Sequence, residues 1–310
     1  MSVLPAAQRI LVTGADGLLG RHVLETWRGS RDIHALVRRA PDRPIEGVSY
    51  IAMDLAGPLD FARLPARVDA VIHLAQSPHM RDFPDAASDI YAVNTASTAQ
   101  LLDWARRAGA GHFLLASTGG LYAPSAAPLT EESRLDPPRG PLGFYFDTKL
   151  CSEILVRAYA GQMHTVILRP FFIYGPGQRE TMLLPRLIAN VREGRALPVR
   201  GGRGTRLNPI FAGDAVDALA TCLAADAPGV LNLAGPEVLT IRDIALHIGA
   251  LIGREPLFDA QEGEADSVVA DISRLRQRLT APMTRFRDGI AEMVGSMEGN
   301  PAQPVGDPDR

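Results

Sequence analysis

Tyr145 and Lys149 stand four residues apart in Tyr-Phe-Asp-Thr-Lys, downstream of a glycine-rich stretch, Thr-Gly-Ala-Asp-Gly-Leu-Leu-Gly, at positions 13–20. On a helix, positions i and i+4 share a face, so the phenol and the ammonium would point into one site. A cation near a phenol stabilises the phenolate and lowers its pKa, as proton exchange near neutral pH requires. Tyr-x-x-x-Lys alone arises by chance in any long chain. After a nucleotide-binding start at this distance it points to hydride transfer.

Positioning that pair takes a regular scaffold. Apolar, β-branched runs predict strands at 9–13, 33–37, 50–53, 70–74, 112–116 and 165–168. Helical patterns predict helices at 18–27, 90–108 and 145–159. Strand–helix alternation with fully apolar strands implies an α/β fold, a doubly wound parallel sheet covered on both faces. After Arg169 the rhythm changes, with Pro170, Gly175, Pro176 and Gly177 breaking the chain. Helices are expected at 181–193, 214–225 and 241–252, the last opened by a capping box of Thr240 and Asp243, and a strand at 230–233. The expected division is a dinucleotide-binding domain at 1–170, rejoined by about 209–234. A smaller, mostly C-terminal α+β substrate-binding domain takes 171–208 and 235–295, and a flexible tail 296–310.

Gly14, Gly17 and Gly20 follow the first strand and open a helix. The first suits a tight turn, the second lets backbone approach a pyrophosphate, and the third lets helix pack on sheet. With Asp16, Leu18 and Leu19 they are the expected dinucleotide contacts, the pyrophosphate lying against N–H groups at the helix start. The end of the second strand reads His-Ala-Leu-Val-Arg-Arg, with no acidic residue for ribose hydroxyls and two guanidiniums at Arg38 and Arg39. A guanidinium fork suits a 2′-phosphate, so the expected cofactor is NADP, with NAD as the alternative.

These motifs, in this order, resemble the extended short-chain dehydrogenase/reductases, in the branch of nucleotide-sugar epimerases, dehydratases and reductases. The likeness spans about residues 9–291. It implies a Rossmann fold and adds cofactor contacts at Asp54, Leu55, Leu74, Ala75 and Asn94. Tyr145 becomes the acid/base on the substrate oxygen, and Lys149 the ribose anchor that depresses the tyrosine pKa. Thr118 becomes the hydroxyl that steadies the same oxygen, with Ser117 as its competitor. Arg206 matches a diphosphate clamp, and Arg179, Asn208 and His79 are further substrate-binding candidates. Dehydratases of the branch carry an Asp-Glu pair after the threonine; here Gly119 and Gly120 stand there, and no cysteine lies near for epimerisation beside the ketone. Hydride chemistry alone remains: reduction of a 4-keto nucleotide sugar, or a 4-epimerisation that retains its dinucleotide. A reductase of small non-sugar ketones, or a dinucleotide-sensing binding protein, is also compatible with the same motifs.

Composition narrows the partners. A net charge of −3 without a Lys/Arg block argues against nucleic acid, and no apolar run approaches the roughly 20 residues that span a bilayer. Met-Ser-Val-Leu-Pro runs almost directly into the first strand, leaving no room for a signal peptide. Cys151 and Cys222 offer neither a disulfide framework nor metal-ligand spacing. A cytoplasmic homodimer without a metal, acting on a small nucleotide sugar, is the expectation.

Overall fold

The computed structural model describes residues 8–224, 229–279, 281 and 283–299. Its centre is a seven-stranded sheet. In chain order the elements are β1 (Arg9–Thr13), α1 (Leu18–Trp27), β2 (Asp32–Val37), β3 (Val48–Ala52), β4 (Ala70–His73), α2 (Ala87–Tyr91), α3 (Ser97–Arg107), β5 (His112–Ala116), α4 (Gly143–Ala158) and β6 (His164–Pro170). Strand Val230–Leu233 lies at the edge beside β6, and the order then runs β6, β5, β4, β1, β2, β3. All pairings among β1–β6 are parallel. Because β2 and β4 flank β1, the strand order reverses at β1, and ligands of such sheets bind at the carboxyl ends beside that reversal.

The strands form here because they are apolar on both sides: Ile10, Leu11, Val12, Val71, Ile72, Phe113 and Leu114 are completely buried. In α1, Leu19, Val23, Leu24 and Trp27 recur at helical spacing and face the sheet. The helix expected at 90–108 divides into α2, a π-helical turn at Ala92–Ala96, and α3. Side-chain hydroxyls compete for the backbone there, Ser97 Oγ donating to Val93 O and Thr98 Oγ1 to Asn94 O. The third strand lies earlier than expected, at Val48–Ala52.

The chain divides into two compact units, 1–123 with 135–169 and 216–231, and 124–134 with 170–215 and 232–310. The sequence boundaries therefore shift: segment 124–134 joins the second unit. The reason is main-chain pairing, Leu129 N donating to Val269 O and Asp271 N to Leu129 O, each at 2.8 Å. In the second unit α5 (Leu183–Glu193) ends on Gly194 at φ +71°, a left-handed stop that favours glycine. Most of α6 (Ala212–Ala224) falls in the first unit; in the second, α7 (Ile241–Ile252) carries the expected capping box. Next come α8 (Ser273–Arg276) and α9 (Phe286–Gly299). Of the flexible tail expected at 296–310, residues 296–299 are instead the end of α9, which is anchored by buried Ile290, Met293 and Val294; the remainder of that expectation lies outside the described residues.

Candidate active site

The turn after β1 fits a dinucleotide by shape and by polarity. Gly14 has φ +64°, and a Cβ on it would lie 2.7 Å from Ala75 N and 2.8 Å from the Leu74 carbonyl carbon. Only a glycine lets this turn approach the end of β4 so closely. A Cβ on Gly20 would lie 2.3 Å from Gly14 O, so the third glycine serves the packing of α1 under its own turn. Gly17 caps α1, with no side-chain hydrogen bond to the cap and no acid in the first turn, leaving its N–H end open to an anion. Asp16 is exposed, Leu18 half-buried and Leu19 buried at this rim. Arg38 and Arg39 are exposed just past β2, and Asp54 is exposed beside the buried Leu55 after β3. The cradle therefore suits a pyrophosphate, with positive charge at its far end.

Tyr145 and Lys149 share the buried face of α4 with Thr148, Ser152 and Glu153. The Tyr145 hydroxyl donates to Gln76 Oε1 at 2.9 Å and also hydrogen-bonds with Thr118. Lys149 Nζ donates to Ala116 O at 2.9 Å and to Ala75 O at 3.4 Å, and lies 6.0 Å from the Tyr145 ring centroid. This corrects one expectation. In the chain alone the phenol pKa is raised, because burial outweighs the hydrogen bond with Thr118, and the ammonium sits on carbonyls rather than on the phenol. Burial lowers Lys149 itself to about 8, with the Glu153 carboxylate opposing the shift. Thr118, whose Oγ1 accepts from Gly120 N at 3.1 Å, is the hydroxyl beside the phenol.

Ser117 is not a second candidate at the reacting oxygen. Its hydroxyl donates to Glu153 Oε1 at 2.6 Å, inside a buried network the sequence reading missed. Arg169 Nε donates to Glu153 Oε1 at 2.9 Å and its Nη2 to Oε2 at 2.6 Å, a bidentate pair, while Nη1 donates to Tyr122 Oη at 2.8 Å. Burial works to raise the Glu153 pKa, but the bonds and charge of Arg169 hold it below the ordinary range. Its position eight residues after Tyr145 and four after Lys149, on one helix face, was the available signal.

Asn94 is likewise corrected from cofactor contact to fastener. Its Oδ1 accepts from Ser77 N and its Nδ2 donates to Thr148 Oγ1, each at 2.9 Å, so both ends of the amide are spent inside the protein. His73 is a core residue, its ring bonded to Thr13 Oγ1 at 2.6 Å and Thr98 Oγ1 at 3.0 Å. Burial, then the Lys149 charge, drives its pKa down to about 3. His79 is half-buried and pairs with Asp82 at 3.0 Å.

In the second unit Arg179 and Arg206 are exposed. Arg206 stands on a two-residue strand, its backbone N–H bonded to Asp266 O at 2.9 Å. Asn208, expected at the substrate, is instead buried: its Nδ2 donates to Ala270 O and its Oδ1 accepts from Ala270 N, both at 3.0 Å, with Gly235 O a further acceptor at 3.3 Å. That clamp leaves its amide no surface for a ligand. Among the described residues, no helix is long and apolar enough to cross a membrane.

A parallel sheet reversing at a glycine cradle, with a Tyr/Lys pair on the helix beside it, defines a dinucleotide-dependent enzyme of the extended short-chain dehydrogenase/reductase type. The chain belongs to the NAD dependent epimerase/dehydratase family, whose family model matches residues 10–234. It is 28% identical to a Bacillus subtilis (strain 168) protein named as an uncharacterized UDP-glucose epimerase, YtcB, over 92% of this chain and 96% of that one. It is 25% identical to the dTDP-4-dehydro-6-deoxy-D-allose reductase of Streptomyces bikiniensis, over 93% and 95% of the two chains. Among solved structures it resembles MoeE5 in complex with UDP-glucuronic acid and NAD, with a TM-score of 0.80 and 27% identity, covering 94% of this chain and 99% of that one.

Proposed function

We propose that this enzyme is an NADP(H)-dependent oxidoreductase that moves a hydride to or from the 4-position of a nucleotide sugar, acting as a 4-keto reductase. One observation carries the choice of chemistry. A Cβ on Gly120 would lie 2.3 Å from Phe146 Cε1, so a buried ring fills the space in which an acid side chain at 120 would begin. Elimination needs a base beside the carbon, within about 3 Å or one water away, and no such group is supplied from 119 or 120. Hydride transfer needs only a proton donor and an orienting hydroxyl, the roles proposed for Tyr145 and Thr118. The dinucleotide, when bound, supplies the hydride; Lys149 holds its ribose, and Tyr145 delivers the proton to the developing alkoxide.

The Streptomyces bikiniensis reductase among the relatives supports this reading, and the Bacillus subtilis relative supports a 4-epimerase as the second. MoeE5 was solved with NAD; the preference for NADP rests on Arg38 and Arg39 and the missing acid at the end of β2. Arg206, with Arg179, is the proposed clamp for the substrate diphosphate, a role suited to a planar five-donor fork. A homodimer is the proposed assembly, supported by the exposed Tyr91 and Ile154 side chains.

Mass spectrometry of the dinucleotide and sugar nucleotide that copurify with the protein, followed by assay in deuterated water, tests the whole. A reductase exchanges NADP and puts no solvent deuterium on carbons next to C4. A 4-epimerase keeps its dinucleotide through turnover. Enzyme-dependent deuterium at a neighbouring carbon, or a 6-deoxy-4-keto product, refutes the hydride-only reading. Failure of uridine, guanosine, cytidine and thymidine diphosphates to bind at millimolar concentration removes nucleotide sugars in favour of a small ketone or a sensing role.

A further inference from the structure

The phenol at the centre of the site has a partner that no motif picks out. Tyr145 Oη donates to Gln76 Oε1 at 2.9 Å. Gln76 is exposed and adds nothing to the core, so its place at the phenol is not a consequence of packing. We propose that Gln76 is a positioning residue for the reaction above: its carboxamide oxygen accepts the Tyr145 hydroxyl proton and holds the phenol in one orientation until the substrate oxygen replaces it as acceptor.

The backbone fixes this meeting by a second route. The segment after β4 that carries Gln76 is fastened at the next residue, where Ser77 N donates to Asn94 Oδ1 at 2.9 Å and Ser77 Oγ bonds to Asp89. Asn94 Nδ2 donates to Thr148 Oγ1 at 2.9 Å, and Thr148 Oγ1 donates to Tyr145 O at 2.7 Å. Gln76 and Tyr145 are thus joined directly and again around a ring of side-chain bonds. Asn94 and Thr148 are buried, so water does not compete for that ring. The residue type also fits. A carboxamide accepts at oxygen and donates at nitrogen, so one side chain serves the phenol before transfer and, on turning, the phenolate after it. A carboxylate or an aliphatic group serves one state or neither.

The proposal takes its reaction from the proposed function, but its test does not. The protein is labelled with 13C at tyrosine Cζ, and the Tyr145 signal, one of six, is assigned by its loss in Y145F. Q76E should move that signal towards the tyrosinate position, because a carboxylate draws the phenolic proton harder, and Q76L should move it the opposite way. On whichever nucleotide sugar is turned over, Q76L should lower kcat about three- to tenfold, the worth of one neutral hydrogen bond, with KM within about twofold. A Tyr145 signal unmoved in both variants overturns the proposal whether or not any nucleotide sugar reacts. So does an unchanged or raised kcat with a lowered KM in Q76L, which would make Gln76 a plug that substrate displaces. Where no nucleotide sugar is turned over, the signal alone decides.

Discussion

Replacing Glu153 with alanine should cost about 3–5 kcal/mol of folding stability, the usual penalty for breaking a buried ion pair from one side. The structure gives the reason for that size. The carboxylate is fully buried and accepts from Arg169 Nε and Nη2, Ser117 Oγ and, at 3.3 Å, Arg157 Nη2. Its loss leaves the Arg169 guanidinium, 1% exposed, bonded to Tyr122 but without its counter-charge. Against a total of roughly 5–15 kcal/mol for a domain, that is a large fraction. Glu153→Gln keeps the shape and one acceptor but also removes the counter-charge and turns an NH2 group on donors, so it should lose a similar amount, about 3–5 kcal/mol. The double variant Glu153→Leu with Arg169→Met removes both charges and should recover to within about 2 kcal/mol of wild type. Equilibrium urea unfolding followed by circular dichroism reads all three, with the slopes compared to verify that one transition is being measured. A loss below about 1 kcal/mol for Glu153→Ala, or a double variant worse than either single one, would refute the reasoning.

Tyr145→Phe should cut turnover roughly 100- to 10,000-fold with dinucleotide affinity near wild type, as steady-state kinetics and fluorescence titration would report. Arg38→Ala with Arg39→Ala should weaken NADPH binding about tenfold or more and leave NADH little changed, read by calorimetry. His73 sets a pH dependence. Its folded pKa of about 3 lies below the ordinary 6.5, so the unfolded chain takes up the proton first. That contribution is complete above the ordinary value and is lost as pH falls towards 3, so wild type should lose about 1.5 kcal/mol more than His73→Gln between pH 6.5 and 5. Gly120→Glu should yield no 6-deoxy-4-keto product by mass spectrometry and should destabilise by about 1–3 kcal/mol, because the new side chain must displace the Phe146 ring.

What could be read from the chain follows from range. The glycine turn, the strands and the Tyr/Lys helix are local patterns, and they stand within a few residues of where periodicity put them. The α7 capping box is local too, and both of its bonds are present. The segment 124–134 could not be assigned, because its partners, main-chain groups near 270 together with Asn232 and Arg274, lie about 100 to 140 residues further along the chain. Asn94, Ser117 and Asn208 were legible as polar residues at motif positions, but not as spent ones. Whether an amide or hydroxyl faces a ligand or a buried partner depends on Ser77, Glu153 and Ala270, which are distant in sequence. That the Tyr145 pKa is raised in the chain alone has a related reason: i+4 spacing brings Lys149 to the right face but does not say which oxygen it will bind.

The ring beneath Gly120 also constrains how this enzyme could change its reaction over generations. An acid at 120 is the obvious first step towards elimination chemistry, yet Phe146 packs with Leu121 and lies 5.5 Å, ring to ring, from Tyr145. Moving the ring disturbs the phenol on which every reaction of the site would depend. A smaller residue at 146 would have to come first, and alone it would leave a cavity beside Tyr145. The two substitutions are thus each unfavourable singly and acceptable only together. Libraries that vary 120 alone should therefore return few active clones, whereas joint variation at 120 and 146 opens the passage.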